Sequence, residues 1–150
     1  MGKRIAESRG EVELSAAIMQ YFADNAHTFL TPKNLKSVMG DARLEYSPLG
    51  VLLSIQPWNY PYYQLARFAG PHLMSGNVIL LKHAPGVPQC AVAFEKVLQE
   101  AGVPSGVYTN LFLSNDQAGA LIDYSRVKGI ALTGSERAGE ALAEIGRAHV

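Results

Sequence analysis

Four short apolar runs recur in the chain: GVLLSIQ (50–56), NVILLK (77–82), VYTNLFL (107–113) and KGIALT (128–133). Each is too short for a helix core and is followed by a stretch with helical spacing, at 61–75, 88–102, 115–123 and 135–146. Short β-branched runs alternating with helices bury both kinds of element only when the strands lie parallel and the helices cross over between them. The expected fold class is α/β: a parallel, Rossmann-like sheet with flanking helices and right-handed connections. Ligands should sit at the carboxyl ends of the strands. The helix at 88–102 is the clearest, with Ala91, Phe94, Val97, Leu98 and Ala101 in one stripe and Gly102 as its cap.

The region before this repeat has a different character. Residues 2–30 read as one long helix carrying Ile5, Val12, Ile18, Met19, Phe22, Ala26 and Phe29, closed by Pro32. Gly40-Asp41 signals a turn, and Arg43 to Tyr46 a short alternating strand. There is no internal repeat and no low-complexity segment.

A length of 150 residues fits one domain with a single core. Thirteen basic residues balance thirteen acidic ones, so nothing draws the chain to nucleic acid. No apolar run approaches the roughly 20 residues needed to cross a bilayer. The single cysteine, Cys90, excludes an internal disulfide and suits a reducing cytoplasm, the expected location. The four histidines lack metal-ligand spacing, so no metal is expected.

The strand ends carry the informative residues. The first ends in PWNYP, where Asn59 stands among prolines and aromatic rings. Asn is a common turn residue, yet an amide on a platform this stiff also suits an oxyanion, an interaction worth roughly 3–4 kcal/mol where it has been dissected. The second ends at Lys82, by default a solvated lysine and otherwise a nucleotide contact. The fourth ends at Thr133-Gly134-Ser135. Ser135 suits a helix cap and Thr133 with Glu136 fits a capping box, while free N–H groups in the same place suit a phosphate. No GxGxxG is present, so a dinucleotide would bind by another arrangement, if at all. Cys90 lies among Ala91, Val92 and Ala93 with no neighbouring cation or base, which argues against a nucleophile.

PWNYP, GNVILLKHA, EAGVPSGVYTNL and ALTGSERAG, in this order and spacing, resemble the aldehyde dehydrogenase superfamily from about residue 1 to about 143. The resemblance implies a parent enzyme with three parts: a dinucleotide-binding domain, a catalytic domain with a cysteine nucleophile, and a small oligomerisation domain. It implies NAD(P) as cofactor and a homo-oligomer as the assembly. Asn59 corresponds to the family asparagine that stabilises the thiohemiacetal oxyanion. Lys82 corresponds to the lysine near the adenosine ribose, and Ser135, after Gly134, to the serine on the pyrophosphate. Ile55 and Trp58 correspond to residues lining the cofactor cleft. Arg67 is similar to the arginine of succinate-semialdehyde dehydrogenases, where a guanidinium can grip the distal carboxylate of the substrate bidentately. Pro85 replaces the ribose-binding glutamate of many NAD-preferring members, so NADP should be accepted and is the expected preference.

Three further expectations follow from the resemblance. The parent oxidises an aldehyde to an acid, with succinate semialdehyde the foremost candidate and another small or carboxylated aldehyde the alternative. Residues 1–143 form part of the dinucleotide-binding domain, with Met1 an internal methionine. The nucleophile and general base lie beyond the TGS motif, so the 150 residues should be inactive alone; a non-catalytic nucleotide-binding or oligomerising fragment is the rival reading. The ending EIGRAHV, over 144–150, fits no family expectation. It matches a translation of a common sequencing adapter, GAG ATC GGA AGA GCA CAC GTC with TGA following, and is expected to be an artefactual tail.

Overall fold

The computed structural model describes residues 1–144; most of the expected tail, 145–150, lies outside the described residues. The chain opens with the long helix α1 (Ile5–Leu30) and a small antiparallel pair, β1 (Lys33–Leu35) with β2 (Ala42–Leu44). The alternating part then runs β3 (Val51–Gln56), α2 (Tyr63–Met74), β4 (Val78–His83), α3 (Pro88–Glu100), β5 (Tyr108–Asn110), α4 (Asn115–Ile122), β6 (Val127–Leu132) and α5 (Glu136–Glu144). Strands β3 to β6 form one parallel sheet in the order β5-β4-β3-β6. The α/β reading therefore holds. Among the described residues no helix is long and apolar enough to cross a membrane.

Alternation along the strands divides the core in two. Ile79 and Leu81 of β4 face α1, α2 and α3, meeting Leu65, Ala66, Ala69, Ala91, Phe94 and Leu98. Leu53 of β3 and Leu80 of β4 face the other way, toward Leu121, Ile122 and Leu142 of α4 and α5. The sheet is thus covered on both sides, as strands with nearly continuous apolar sequence require. Chain order reverses at β3: the path moves outward through β4 and β5, then returns to lay β6 on the opposite side. That reversal opens a crevice between the carboxyl ends of β3 and β6.

Helix α3 ends as its sequence indicates. Gly102 takes φ +92°, and the Val103 N–H donates back to Leu98 O at 3.0 Å, a Schellman closure. Its stripe is narrower than expected: Ala91, Phe94 and Leu98 are buried, whereas Val97 and Ala101 are exposed. Helix α1 departs further. Its buried residues are Glu11 and Ser15, while Ile5, Val12 and Phe29 face outward, and only Ile18 and Met19 join the core. The strand expected at Arg43 to Tyr46 is shifted to Ala42–Leu44, and its partner β1 carried no recognisable signal.

Candidate functional site

Lys82 is the residue around which the site is built. In register it pairs with Ile55 across β3 and β4, and alternation turns its side chain toward α4 and α5. There it enters a cleft of about 390 Å³ with Ile55 and Leu132 as floor and Ser135 and Arg137 at the mouth. Ala118 and Gly119 of α4 face Ala138 and Ala141 of α5 across it, and these small residues hold the slot open. Lys82 is 8% exposed and has no hydrogen bond or ion pair among the described residues. None of the described residues lining the cleft is acidic. A cation that opens into such a cleft without a partner is a ready contact for an anionic ligand.

The start of α5 faces the same cleft. Ser135 Oγ accepts from the Ala138 N–H at 3.3 Å, so the serine is the cap. Among the described residues the N–H groups of Glu136 and Arg137 have no acceptor, leaving donors beside two cations. The capping box expected from Thr133 and Glu136 does not form, because α5 begins at Glu136 with Ser135 at the cap position; Thr133 Oγ1 instead accepts from Arg67 Nη2 at 3.3 Å. The reciprocal box lies on α4 instead, where the Gln117 N–H donates to Ser114 Oγ at 3.1 Å and the Ser114 N–H to Gln117 Oε1 at 2.9 Å.

On the other side of the crevice stands the aromatic turn, residues 57–62. Asn59 is exposed, and its Oδ1 accepts from the Tyr60 N–H at 3.2 Å. That bond orients the amide, and among the described residues Nδ2 has no partner, an available donor. Trp58 is exposed beside it. His83, next to Lys82 but turned to the opposite face, is buried under the turn. Its Nε2 lies 3.1 Å from Pro61 O and its Nδ1 3.3 Å from Gln56 O, with the Ala84 N–H 3.0 Å from Nδ1, so both ring nitrogens are tied to the backbone of the turn and its flanks. Burial holds its pKa below the ordinary 6.5, keeping the ring neutral.

Arg67 leaves the second turn of α2 and lies exposed, its guanidinium 5.7 Å from the Tyr63 ring centroid and bonded to Thr133. It therefore spans the crevice from α2 to the β6–α5 loop. Cys90 is half-buried on α3; burial first and the neighbouring Cys90 second push the Tyr62 hydroxyl up to about 12.

The structure brings Ile55, Lys82 and Ser135 together in one cleft, with Gly134 at its rim; Trp58, Asn59 and Arg67 lie outside its lining. Sequence reasoning missed Arg137, the role of His83 under the turn, the bond from Arg67 to Thr133, and the paired small residues of α4 and α5. Only the last left a signal, as small residues at adjacent and three-residue spacings on helices flanking a strand.

Comparison with known proteins follows the same division. Residues 1–150 match the aldehyde dehydrogenase family. A curated succinate-semialdehyde dehydrogenase [NADP(+)] of Deinococcus radiodurans is 48% identical over 150 residues, covering 100% of this chain and 31% of that protein. A probable succinate-semialdehyde dehydrogenase [NADP(+)] of Synechocystis is 41% identical over 143 residues, covering 95% of this chain and 32% of its own length. Among solved structures, succinic semialdehyde dehydrogenase from Streptococcus pyogenes in complex with NADP+ superposes with a TM-score of 0.93 at 45% identity, over 97% of this chain and 32% of that one. The chain thus spans about a third of the length of these relatives.

Proposed function

The chain belongs to the aldehyde dehydrogenase family, and we propose that it is part of the dinucleotide-binding domain of an NADP-dependent enzyme that oxidises succinate semialdehyde to succinate. The observation that carries this reading is Lys82, which has no partner among the described residues and opens into a cleft with no acidic residue among its described lining, at the switch point of a parallel sheet. The names of the relatives in Deinococcus and Synechocystis support both substrate and cofactor.

The residues present fit the cofactor. Lys82, Ser135 and the open N–H groups of α5 would hold its anionic part, and Ile55 and Trp58 its flanks. Pro85 places no carboxylate near the ribose, so a 2′-phosphate meets no repulsion. When bound, the nicotinamide accepts hydride from the substrate carbon. Asn59 donates its Nδ2–H to the oxygen on which charge develops, and the Tyr60 N–H keeps that amide oriented. Arg67, steadied by Thr133 and Tyr63, holds the distal carboxylate and sets the reach from it to the aldehyde carbon.

The 150 residues supply binding groups and an oxyanion donor but no nucleophile, since Cys90 faces Tyr62 and does not line the cleft. No aldehyde-dependent NADPH formation is expected from the chain alone. In the parent enzyme, Arg67→Met should raise KM for succinate semialdehyde far more than for an uncharged aldehyde of similar length. An equal effect on both substrates would remove the semialdehyde assignment.

A further inference from the structure

Glu11 is a carboxylate on a helix remote in sequence from the turn, yet its side chain is only 2% exposed. Its Oε1 accepts from the Tyr62 N–H at 2.8 Å and the Tyr63 N–H at 3.1 Å, the first donors of α2. Helix α2 has no cap of its own, because Tyr62 at the N-cap position offers no acceptor. Glu11 supplies that cap from α1, with its negative charge at the positive end of the α2 dipole. Its Oε2 pairs with Lys3, whose ammonium also lies 3.8 Å from the centroid of the Tyr60 ring. The same cluster therefore holds Tyr60 by its ring and residues 62 and 63 by their backbone.

Tyr60 is the residue whose N–H orients the Asn59 amide. Its carbonyl in turn accepts from the Gln64 N–H at 3.1 Å, tying it into the first turn of α2. From below, His83 holds Pro61 O. The segment 60–63 is thus fastened at four points, and what remains free is the Nδ2 of Asn59.

We infer that Glu11, with Lys3 as its counter-ion, is a positioning residue for the oxyanion donor Asn59: it fixes the α2 N-terminus and Tyr60, and so aims the amide. This rests on the functional reading of Asn59 given above. A buried charge is an expensive way to cap a helix, since a serine or aspartate at the N-cap position would serve locally. A carboxylate that caps one helix and anchors a cation over the neighbouring ring joins two parts of the turn that a local cap would leave independent.

The test uses the full chain, in which Trp58 is the only tryptophan and adjoins Asn59. Glu11→Ala, Glu11→Gln and Lys3→Met are compared with Ile122→Ala, which opens the core on the other face of the sheet. Acrylamide quenching of Trp58 and the side-chain amide resonances of Asn59 are read where circular dichroism shows equal helix content. Glu11→Ala should raise the quenching of the already exposed Trp58 and collapse the dispersion of the Asn59 amide signals. Lys3→Met should give a smaller change of the same kind. Glu11→Gln, which keeps an acceptor for the two N–H groups, should restore most of both signals. Ile122→Ala should lower the melting temperature and move neither. Unchanged signals in Glu11→Ala, or the same changes in Ile122→Ala, would overturn the assignment. Neither signal needs cofactor or substrate, so a chain that shows these shifts without binding NADP+ keeps the clamp and loses only the functional reading.

Discussion

The two strand-to-helix crossings that flank the switch point are built on opposite plans. From β3 to α2 the chain passes through a turn fastened by Glu11, Lys3 and His83, with two prolines in its backbone and one side-chain amide left free. From β6 to α5 it passes through Thr133-Gly134-Ser135, where Ser135 caps the helix and the next two N–H groups stay open. The first arrangement suits a donor that must meet a small, brief charge at a fixed place, where misplacement by about 1 Å can cost roughly 10²-fold in rate. The second suits a bulky anion that settles onto several donors at once. Arg67, bonded to Thr133, joins the two.

Substitutions separate these plans by size of effect. Leu53 is fully buried on the central strand beneath both crossings, and Leu53→Ala should cost about 2–5 kcal/mol in urea unfolding. A loss below about 1 kcal/mol would mean the crossings do not share a floor. Gly70→Ala should weigh on the fastened side alone. A methyl there would sit 2.8 Å from Phe22 Cδ2, prising α1 from α2 at about 1–3 kcal/mol and loosening Trp58 with it. Ser135→Ala should cost about 1 kcal/mol, from the open side, and leave Trp58 quenching as in the parent chain.

The smallest effect is a pH dependence that also belongs to the fastened side. Burial holds His83, and likewise His72, below the ordinary 6.5, so both are neutral in the folded chain while the unfolded chain takes up their protons near that value. Their contribution is present above pH 6.5 and is lost as pH falls below it. The urea midpoint should therefore drop on going from about pH 7.5 to about pH 5.5, and His83→Asn should flatten that drop.

How much of this was legible in the sequence differs between the same two regions. Strand and helix periods placed β3 to β6 and α2 to α5 within a few residues, because packed strands and helices impose their own repeat. Gly102 announced its helix end, since only a glycine takes that backbone easily. Lys82, Asn59 and Ser135 stood out by position at strand ends. Glu11 did not, because a carboxylate in a polar helix looks like any solvated residue until the fold sets it 51 positions away against Tyr62. Thr133 looked like a cap and became a partner of Arg67 for the same reason. Strand β1 escaped, and β2 was read slightly displaced, because both are three-residue strands with largely exposed side chains, whose pairing no hydrophobic pattern records.

The central claim is that the cleft around Lys82 takes the anionic part of NADP, and calorimetric titration of the chain with NADP+ and NAD+ tests it most directly. The expected result is saturable binding with NADP+ favoured, and a loss of about tenfold or more in NADP+ affinity for Lys82→Met, as removal of a charge-assisted contact entails. The same variant should melt close to the parent chain, because Lys82 makes no hydrogen bond or ion pair among the described residues. Equal affinity of Lys82→Met and the parent chain for NADP+, or NAD+ bound much more tightly than NADP+, would contradict it.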